Sequence, residues 1–295
     1  MYRIKKKPED FVVNEITNIR LNDKGVYSVF LLKKRDYTTE RAVQTIANKL
    51  GIPRKFISYA GNKDKIAVTT QYISIKNSRI KELELTDIFL EFKGYLDNPI
   101  LLGDLEGNEF VIKVITDRKP KKIAKMINYF GEQRFSKNNK EIGKLIIKRD
   151  FKKAVDLIIK NNERLVEEYL SKKPTDYIGA LRKIPLKILK LYVHSYQSYL
   201  WNEMVTKCNT KTLPIIGFGT EVTENIKGIL NKEGITTRDF IIKQIPELSS
   251  EGNERDVFVD IKNLEIEKIE KGYILKFMLS KGSYATEAIK QIFPE

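Results

Sequence analysis

The first 115 residues alternate short apolar runs with turn-forming residues, a pattern typical of β-strands. A helical period interrupts them once, at residues 39–50, where the apolar positions fall on one face. Thr38 or Thr39 is placed to cap this helix, and Gly51 follows its last turn. Strands are predicted at residues 11–16, 25–32, 56–60, 67–75, 88–95 and 109–115.

The pattern changes after about residue 149. Helical periodicity covers most of the middle of the chain, and strand-like alternation returns only near the C-terminus. Pro120 suits the first turn of a further helix. The predicted elements after residue 115 are helices at 121–129, 151–172, 184–208, 236–245 and 284–292, and strands at 257–261 and 273–279.

A β-rich beginning, a helical middle and a β-rich end predict one α+β domain interrupted by a mostly helical α+β insertion. We expect a discontinuous domain of residues 1–149 and 255–295, built on a mixed or antiparallel sheet with flanking helices. The inserted domain is expected at residues 150–254. A length of 295 residues suits such an arrangement.

The charge balance points to a polyanionic partner. The chain carries 54 Lys and Arg against 39 Asp and Glu, a formal net charge of +15. An excess of this size favours nucleic acid as the partner. A generally basic proteome would produce the same excess, so charge alone does not identify the partner.

Rare residue types exclude several kinds of site. Cys208 is the single cysteine and His194 the single histidine, which excludes an intrachain disulfide, a cysteine-rich zinc site and any mechanism needing two imidazoles. One cysteine suits a reducing cytoplasm. No apolar run of about 18 residues occurs, and the N-terminus lacks the apolar core of a signal peptide. We expect a soluble cytoplasmic protein without a membrane partner, and a monomer.

Asp64 is the first candidate for chemistry. It lies in the segment YAGNKDKIAVTTQ, residues 59–71, where a turn of Gly, Asn, Lys and Asp separates two predicted strands. Such a turn can hold a carboxylate rigidly at the mouth of a sheet, and Lys63 and Lys65 would surround it with positive charge. The alternative is an ordinary solvated turn, because Asp, Asn and Gly form turns for backbone reasons alone.

Other segments carry side chains suited to RNA. Lys5, Lys6 and Lys7 are either a solvated terminus or a phosphate contact. Residues 128–135, NYFGEQRF, combine three aromatic rings with amides. They are either core residues or a grip on an unstacked base, because stacking supplies affinity and an amide reads the base edge. The aromatic residues of HSYQSYLWN, 194–202, are predicted to be structural. No nucleotide-cofactor fingerprint occurs, which disfavours that class of enzyme.

Four segments together resemble the TruD family of pseudouridine synthases. They are PEDFVVNE at 8–15, YAGNKDKIAVTTQ at 59–71, NYFGEQRFS at 128–136 and KGSYATEAI at 281–289. They follow the family's order over nearly the whole chain, and the second and third are specific. The resemblance implies a pseudouridine synthase-like catalytic domain with the family's inserted domain, here shorter than in bacterial relatives.

The resemblance also implies an activity: isomerisation of uridine to pseudouridine in tRNA, most typically at uridine-13, with no cofactor and no metal ion. Asp64 matches the family's catalytic aspartate. Tyr284 stands where bacterial relatives usually carry phenylalanine, so the ring is kept and a hydroxyl is added. The expected substrate-binding residues are Lys5, Phe11, Lys63, Asn128, Phe130 and Tyr284.

The chemistry of these residues agrees with that role. Replacing a glycosidic C–N bond by a C–C bond needs a group that engages the sugar or the base and then releases it, and a carboxylate can act as nucleophile or base. Neighbouring cations favour its ionised form, and Lys5, Lys63 and Lys65 are the candidates. The target uridine has to be flipped out of folded RNA and stacked on an aromatic ring. Whether Asp64 attacks the sugar or the base stays open.

Two alternatives remain at this point. A noncatalytic tRNA-binding or chaperone protein would share the basic surface and the aromatic residues, but it would not depend on Asp64. A methyltransferase would need S-adenosylmethionine, and the missing glycine-rich cofactor loop argues against it.

Overall fold

The computed structural model describes residues 2–161, 163–206 and 210–294, apart from the side chain of residue 137. Contacts divide the chain into two compact units: unit 1 comprises residues 1–126 and 259–295, and unit 2 comprises residues 127–258. The domain boundaries near residues 149 and 255, which follow the change of pattern in the sequence, stay predictions. Cys208 lies outside the described residues.

Strands predominate at both ends of the chain and helices in its middle. The chain begins with β1 (Phe11–Ile16), β2 (Tyr27–Arg35), α1 (Thr39–Leu50), β3 (Ile57–Tyr59), β4 (Val68–Lys76), β5 (Glu82–Leu85), β6 (Ile88–Leu96), β7 (Gly107–Val114) and β8 (Lys125–Ile127). It continues with α2 (Asn139–Ile147), α3 (Phe151–Lys160), α4 (Arg164–Lys172), α5 (Tyr177–Leu181), α6 (Leu186–Val205), β9 (Thr212–Ile215), α7 (Glu224–Glu233) and β10 (Asn253–Asp256). It ends with β11 (Phe258–Asp260), β12 (Lys262–Ile269), β13 (Gly272–Ser280) and α8 (Ala285–Ile292).

Unit 1 is built on a nine-stranded mixed sheet. Its strand order is β12-β13-β7-β1-β4-β2-β6-β5, and β3 pairs with β4. The β1–β4 pair is parallel, whereas β4 runs antiparallel to both β2 and β3. β8 and β11, the strands on which the chain passes from one unit to the other, pair with each other. The α+β class with a mixed sheet and flanking helices is therefore confirmed.

Two hydrophobic clusters cover one face of this sheet. Apolar residues of α1 pack against β2, β4 and β6, and apolar residues of α8 pack against β1, β7 and β13. Val13, Thr69 and Lys34 are direct neighbours across β1, β4 and β2, so their side chains share this helix-covered face. Thr69 and Lys34 belong to neither cluster, and this row therefore places polar groups on an otherwise apolar face.

Local signals predicted β1 and α1 with the bounds that the structure has. The hydroxyl of Thr38 accepts a hydrogen bond from the backbone N–H of Arg41, and Gly51 ends α1 in the left-handed conformation with a φ of 64°. Both are the expected terminal signals of a helix. The last helix, predicted at 284–292, is confirmed as α8.

Two helix predictions are wrong. Residues 121–129 form no helix but contain β8, because the backbone of Lys121 bonds to Ile292 and that of Ala124 to Ile261. Residues 236–245 hold only a short 3₁₀ turn, Thr237–Phe240, because the backbone of residues 240 and 242 bonds to residues 250 and 249 instead. In both segments tertiary pairing overrides a weak helical preference.

Unit 2 is mostly helical. Its long helix α6 buries Tyr196, Leu200 and Trp201 completely, which confirms their structural role. α2 packs closely against α6 at Gly143, where an added Cβ would lie 2.0 Å from the backbone oxygen of Tyr192. Glycine is therefore needed at this crossing.

Candidate functional site

Asp64 lies on the loop of residues 60–67, which joins β3 to its antiparallel neighbour β4. Polar side chains fix the main chain of this loop to the sheet and to α1. The N–H of Lys63 donates to the hydroxyl of Thr39 at 2.9 Å, and the amide of Gln71 donates to the carbonyl of Gly61 at 2.9 Å. Thr39 in turn donates to Gln71 at 2.9 Å. The loop is thus held by buried hydrogen bonds rather than left as a solvated turn.

The Asp64 carboxylate is paired with Lys5. The Lys5 Nζ lies 2.6 Å from Asp64 Oδ2, and the two side chains are 20% and 33% exposed. The same ammonium lies 3.9 Å from the ring centroid of Phe11, a buried core residue. Lys5 has a left-handed backbone with a φ of 55°, and the N-terminal segment is tied to the sheet by a bridge between Arg3 and Ile115. The structure therefore brings Lys5, Phe11 and Asp64 together.

The ammonium group of Lys63 is paired with Glu15. Its Nζ lies 2.5 Å from Oε2 of Glu15, and the two side chains are 5% and 0% exposed. The other Glu15 oxygen accepts the N–H of Tyr72 at 3.1 Å. Lys63 therefore anchors the loop to β1 through a buried ion pair, whereas the neighbouring Lys65 is exposed.

Sequence reasoning missed Lys34, a buried cation beside the loop. It is 1% exposed, and its Nζ donates to the backbone carbonyls of Asp64 at 2.9 Å and of Tyr37 at 2.5 Å. Burial lowers the pKa of Lys34 to about 8, with Asp64 opposing this change and Lys63 adding to it. The alternation of side chains along β2 indicates this position. Leu32 points to the buried face of the sheet, so Lys34, two residues later, points to the same face.

Asn128 and Phe130 belong to unit 2, where both are buried. Arg255 connects them: its guanidinium donates to the side-chain oxygen of Asn128 at 2.7 Å and lies 4.0 Å from the Phe130 ring centroid. Asn128 also donates to the carbonyl of Asp256 at 3.1 Å, and the rings of Phe130 and Trp201 are nearly perpendicular, with 5.7 Å between their centroids. The sequence did not indicate Arg255 as a candidate, because it lies in no recognisable motif.

Tyr284 belongs to unit 1 and occupies the position before α8. Its carbonyl accepts the N–H groups of Glu287 at 3.0 Å and Ala288 at 3.2 Å, which fixes its backbone at the start of the helix. Its side chain is half-buried.

Among the described residues, no group of three His, Cys, Asp or Glu side chains is arranged to hold a metal ion. In that same part of the chain, no helix is both long enough and apolar enough to cross a membrane.

Comparison with known proteins gives matches along nearly the entire sequence. A family model described as tRNA pseudouridine synthase D (TruD) matches residues 2–164, 160–216 and 208–292. A Nanoarchaeum equitans protein named "Probable tRNA pseudouridine synthase D" is 32% identical, over 99% of each sequence. An Aquifex aeolicus protein named "tRNA pseudouridine synthase D" is 31% identical, over 99% of this chain and 98% of that protein.

A solved structure gives the same result for the fold. A crystal structure whose description names TruD from Methanosarcina mazei superimposes with a TM-score of 0.73 at 26% identity. The superposition covers 99% of this chain and 93% of the other. The matched regions contain all four segments on which the family resemblance rests.

Proposed function

Because this chain belongs to the TruD family of tRNA pseudouridine synthases, we propose that it converts uridine-13 of tRNA to pseudouridine with Asp64 as the reacting carboxylate. The observation that carries the proposal is the ion pair of Asp64 and Lys5, with 2.6 Å between Oδ2 and Nζ and with Asp64 on a loop fixed to α1 and the sheet. A partly exposed carboxylate on a rigid support, beside a cation, is the arrangement that such a reaction needs.

The reaction is an isomerisation within one nucleotide. The bond from the sugar C1′ to N1 of the base breaks, a bond from C1′ to C5 forms, C5 loses a proton and N1 gains one. Asp64 can attack C1′, add to the base ring or remove a proton. Each route returns Asp64 as a carboxylate at the end of the cycle.

Lys5 has two proposed tasks at this site. Its ammonium group places a positive charge beside the reacting carboxylate, and its hydrogen bond orients one carboxylate oxygen. The ring of Phe11 lies against the ammonium and fixes its position through a cation–π contact. Lys5 and Phe11 are thus proposed to act at the substrate, while Lys63 anchors the loop to β1 through its ion pair with Glu15.

The remaining substrate contacts are also proposals. Tyr284 is proposed to stack on a nucleotide base. Asn128 and Phe130 are proposed to act through Arg255, since the guanidinium lies on the Phe130 ring and bonds to Asn128. A guanidinium plane fixed in this way can stack on a base or bind a phosphate.

Mapping of pseudouridine in tRNA tests the proposal directly. We expect an unmodified tRNA transcript to gain pseudouridine at uridine-13 after incubation with the protein, detected by carbodiimide labelling and primer extension. A transcript with cytidine at that position is the control and should gain none. Modification at another uridine would contradict the position, and tRNA binding without any pseudouridine would favour the noncatalytic alternative. Cytoplasmic location and a monomeric state stay predictions.

Binding of tRNA is expected to weaken steeply with salt, because lysine–phosphate contacts release counterions. With about four such contacts, a fourfold rise in salt lowers the association constant roughly 100-fold. A net charge of +15 makes a footprint of this size reasonable. Filter binding or fluorescence anisotropy at two salt concentrations measures the change, and equal affinities would contradict a footprint carried by phosphates.

A further inference from the structure

We propose that Lys34 is a positioning residue for Asp64, and that it acts only while its ammonium group is charged. The inference rests on the proposed role of Asp64. Lys34 is buried and binds the main chain of Asp64, so it is proposed to act through Asp64 rather than on the nucleotide.

The geometry joins two loops through a single ammonium group. Lys34 Nζ donates to the carbonyl of Asp64 at 2.9 Å and to the carbonyl of Tyr37, in the turn before α1, at 2.5 Å. Together the two bonds connect the turn that contains Tyr37 to Asp64, whose side chain is proposed to react. A carboxylate displaced by about 1 Å loses roughly 100-fold in rate, so a bond to the backbone of Asp64 bears directly on catalysis.

A buried charge at this position needs a reason. Lys34 is 1% exposed, and burying an ammonium group is unfavourable unless it makes strong hydrogen bonds. The adjacent Lys33 is exposed on the other face of β2, so its ammonium group does not carry the cost of burial that Lys34 carries. A charged donor binds carbonyl oxygens about twice as strongly as a neutral one, which explains why a cation suits this task.

The charged groups that face Lys34 are Asp64 and Lys63, both on the loop. The residues beside it on β4 and β6, Thr69 and Ile88, are uncharged. Burial is the largest influence and lowers the pKa of Lys34 to about 8, Asp64 raises it and Lys63 lowers it further. Lys34 is therefore mostly protonated at pH 7 and loses its proton above about pH 8.

The effect of this pKa on stability has the opposite sign to its effect on activity. An unfolded lysine keeps its proton up to a pKa of about 10.4, so between about pH 8 and that value the folded chain binds fewer protons than the unfolded one. The contribution of Lys34 to the free energy of unfolding therefore rises with pH in this window. A loss of activity caused by deprotonation of Lys34 is thus not a loss of folding.

The experiment compares single-turnover rates of pseudouridine formation from about pH 6.5 to pH 10 in the full chain and in three variants. The wild-type rate should fall above about pH 8. Lys34→Met should be about 10- to 100-fold slower and should lack this alkaline fall, with an unchanged affinity for tRNA. Lys34→Arg, which keeps its charge, should move the fall to higher pH. Lys33→Met is the matched control and should behave as the wild type.

Three results would overturn the inference: a wild-type rate that is constant to about pH 9.5, a Lys34→Met variant with the wild-type rate and profile, or a Lys34→Arg profile that does not shift. If Lys34→Met fails to fold, the wild-type and Lys34→Arg profiles decide the question.

An Asp64→Asn variant run in parallel separates the two proposals. Turnover in that variant would exclude Asp64 from the mechanism and with it the premise of this inference, whereas an inactive Asp64→Asn with unaffected Lys34 variants would remove the role of Lys34 alone.

Discussion

Replacing Asp64 by asparagine is expected to abolish pseudouridine formation while tRNA affinity stays within about threefold. Asparagine has nearly the same shape as aspartate, but it is neither an anionic nucleophile nor a base at neutral pH. Loss of a reacting side chain lowers turnover by a factor on the order of 10⁴ or more. Single-turnover assays with saturating protein measure the loss, and anisotropy with labelled tRNA measures binding separately.

The fold should survive this replacement, because the loop is held by groups other than the Asp64 side chain. Lys34 binds the backbone of Asp64, and Thr39 and Gln71 bind the loop on its N-terminal side. The broken ion pair with Lys5 is partly exposed, and such pairs contribute up to about 1 kcal/mol to the free energy of unfolding. An inactive variant therefore reports on chemistry and not on unfolding.

Asp87→Asn is the matched control for Asp64→Asn. Asp87 is also in unit 1, its side chain is 35% exposed, and it forms an ion pair with Arg35 at 3.6 Å. Its backbone is left-handed with a φ of 61°, which asparagine tolerates well. This variant should keep full activity. Turnover by Asp64→Asn would exclude Asp64 from the mechanism, and equal losses in both variants would point to a general effect of removing acidic charge.

Elements with strong local signals could be predicted from the sequence, and elements defined by distant partners could not. α1 carries its apolar stripe, its cap at Thr38 and its ending at Gly51 within fourteen residues of sequence (38–51). β8, in contrast, lies in a segment that was predicted to be helical. It forms a strand because it pairs with β11, and its partner could not be predicted because β11 lies more than a hundred residues later in the sequence. β12 was missed because it is an edge strand with largely exposed, charged residues.

The candidate site shows the same division. Asp64 stands out in a turn between two strands, and Lys5 was placed near it by the family resemblance, although the two are 59 residues apart. The positions of Lys63 and Lys34 depend on packing: the sequence suggested that Lys63 faces Asp64, yet the buried Glu15 attracts it instead. Lys34 lies beyond the predicted strand of residues 25–32, whereas β2 continues to Arg35, so the alternation that places Lys34 on the inward face extends past the predicted strand.

The buried pair of Lys63 and Glu15 gives the largest expected effect on stability. Lys63→Met should lower the free energy of unfolding by about 3–5 kcal/mol, because it leaves a buried carboxylate without its cation. Glu15 is on β1 with a fully buried side chain, and its other oxygen accepts the N–H of Tyr72. Lys65→Met, two residues along the same loop and exposed, is the control and should change stability by less than about 0.5 kcal/mol.

The double variant Glu15→Gln/Lys63→Met separates the ion pair from simple loss of packing. Glutamine removes the charge and can still accept the N–H of Tyr72, so the double variant should be more stable than Lys63→Met alone, a non-additive result. Trp201, the single tryptophan, is buried in unit 2, so its fluorescence follows that unit, whereas hydrogen exchange of β1 and β4 follows unit 1. The loss should appear in β1 and β4. A Lys63→Met variant as stable as Lys65→Met would mean that the carboxylate of Glu15 finds other compensation, and that the loop bearing Asp64 does not depend on this pair.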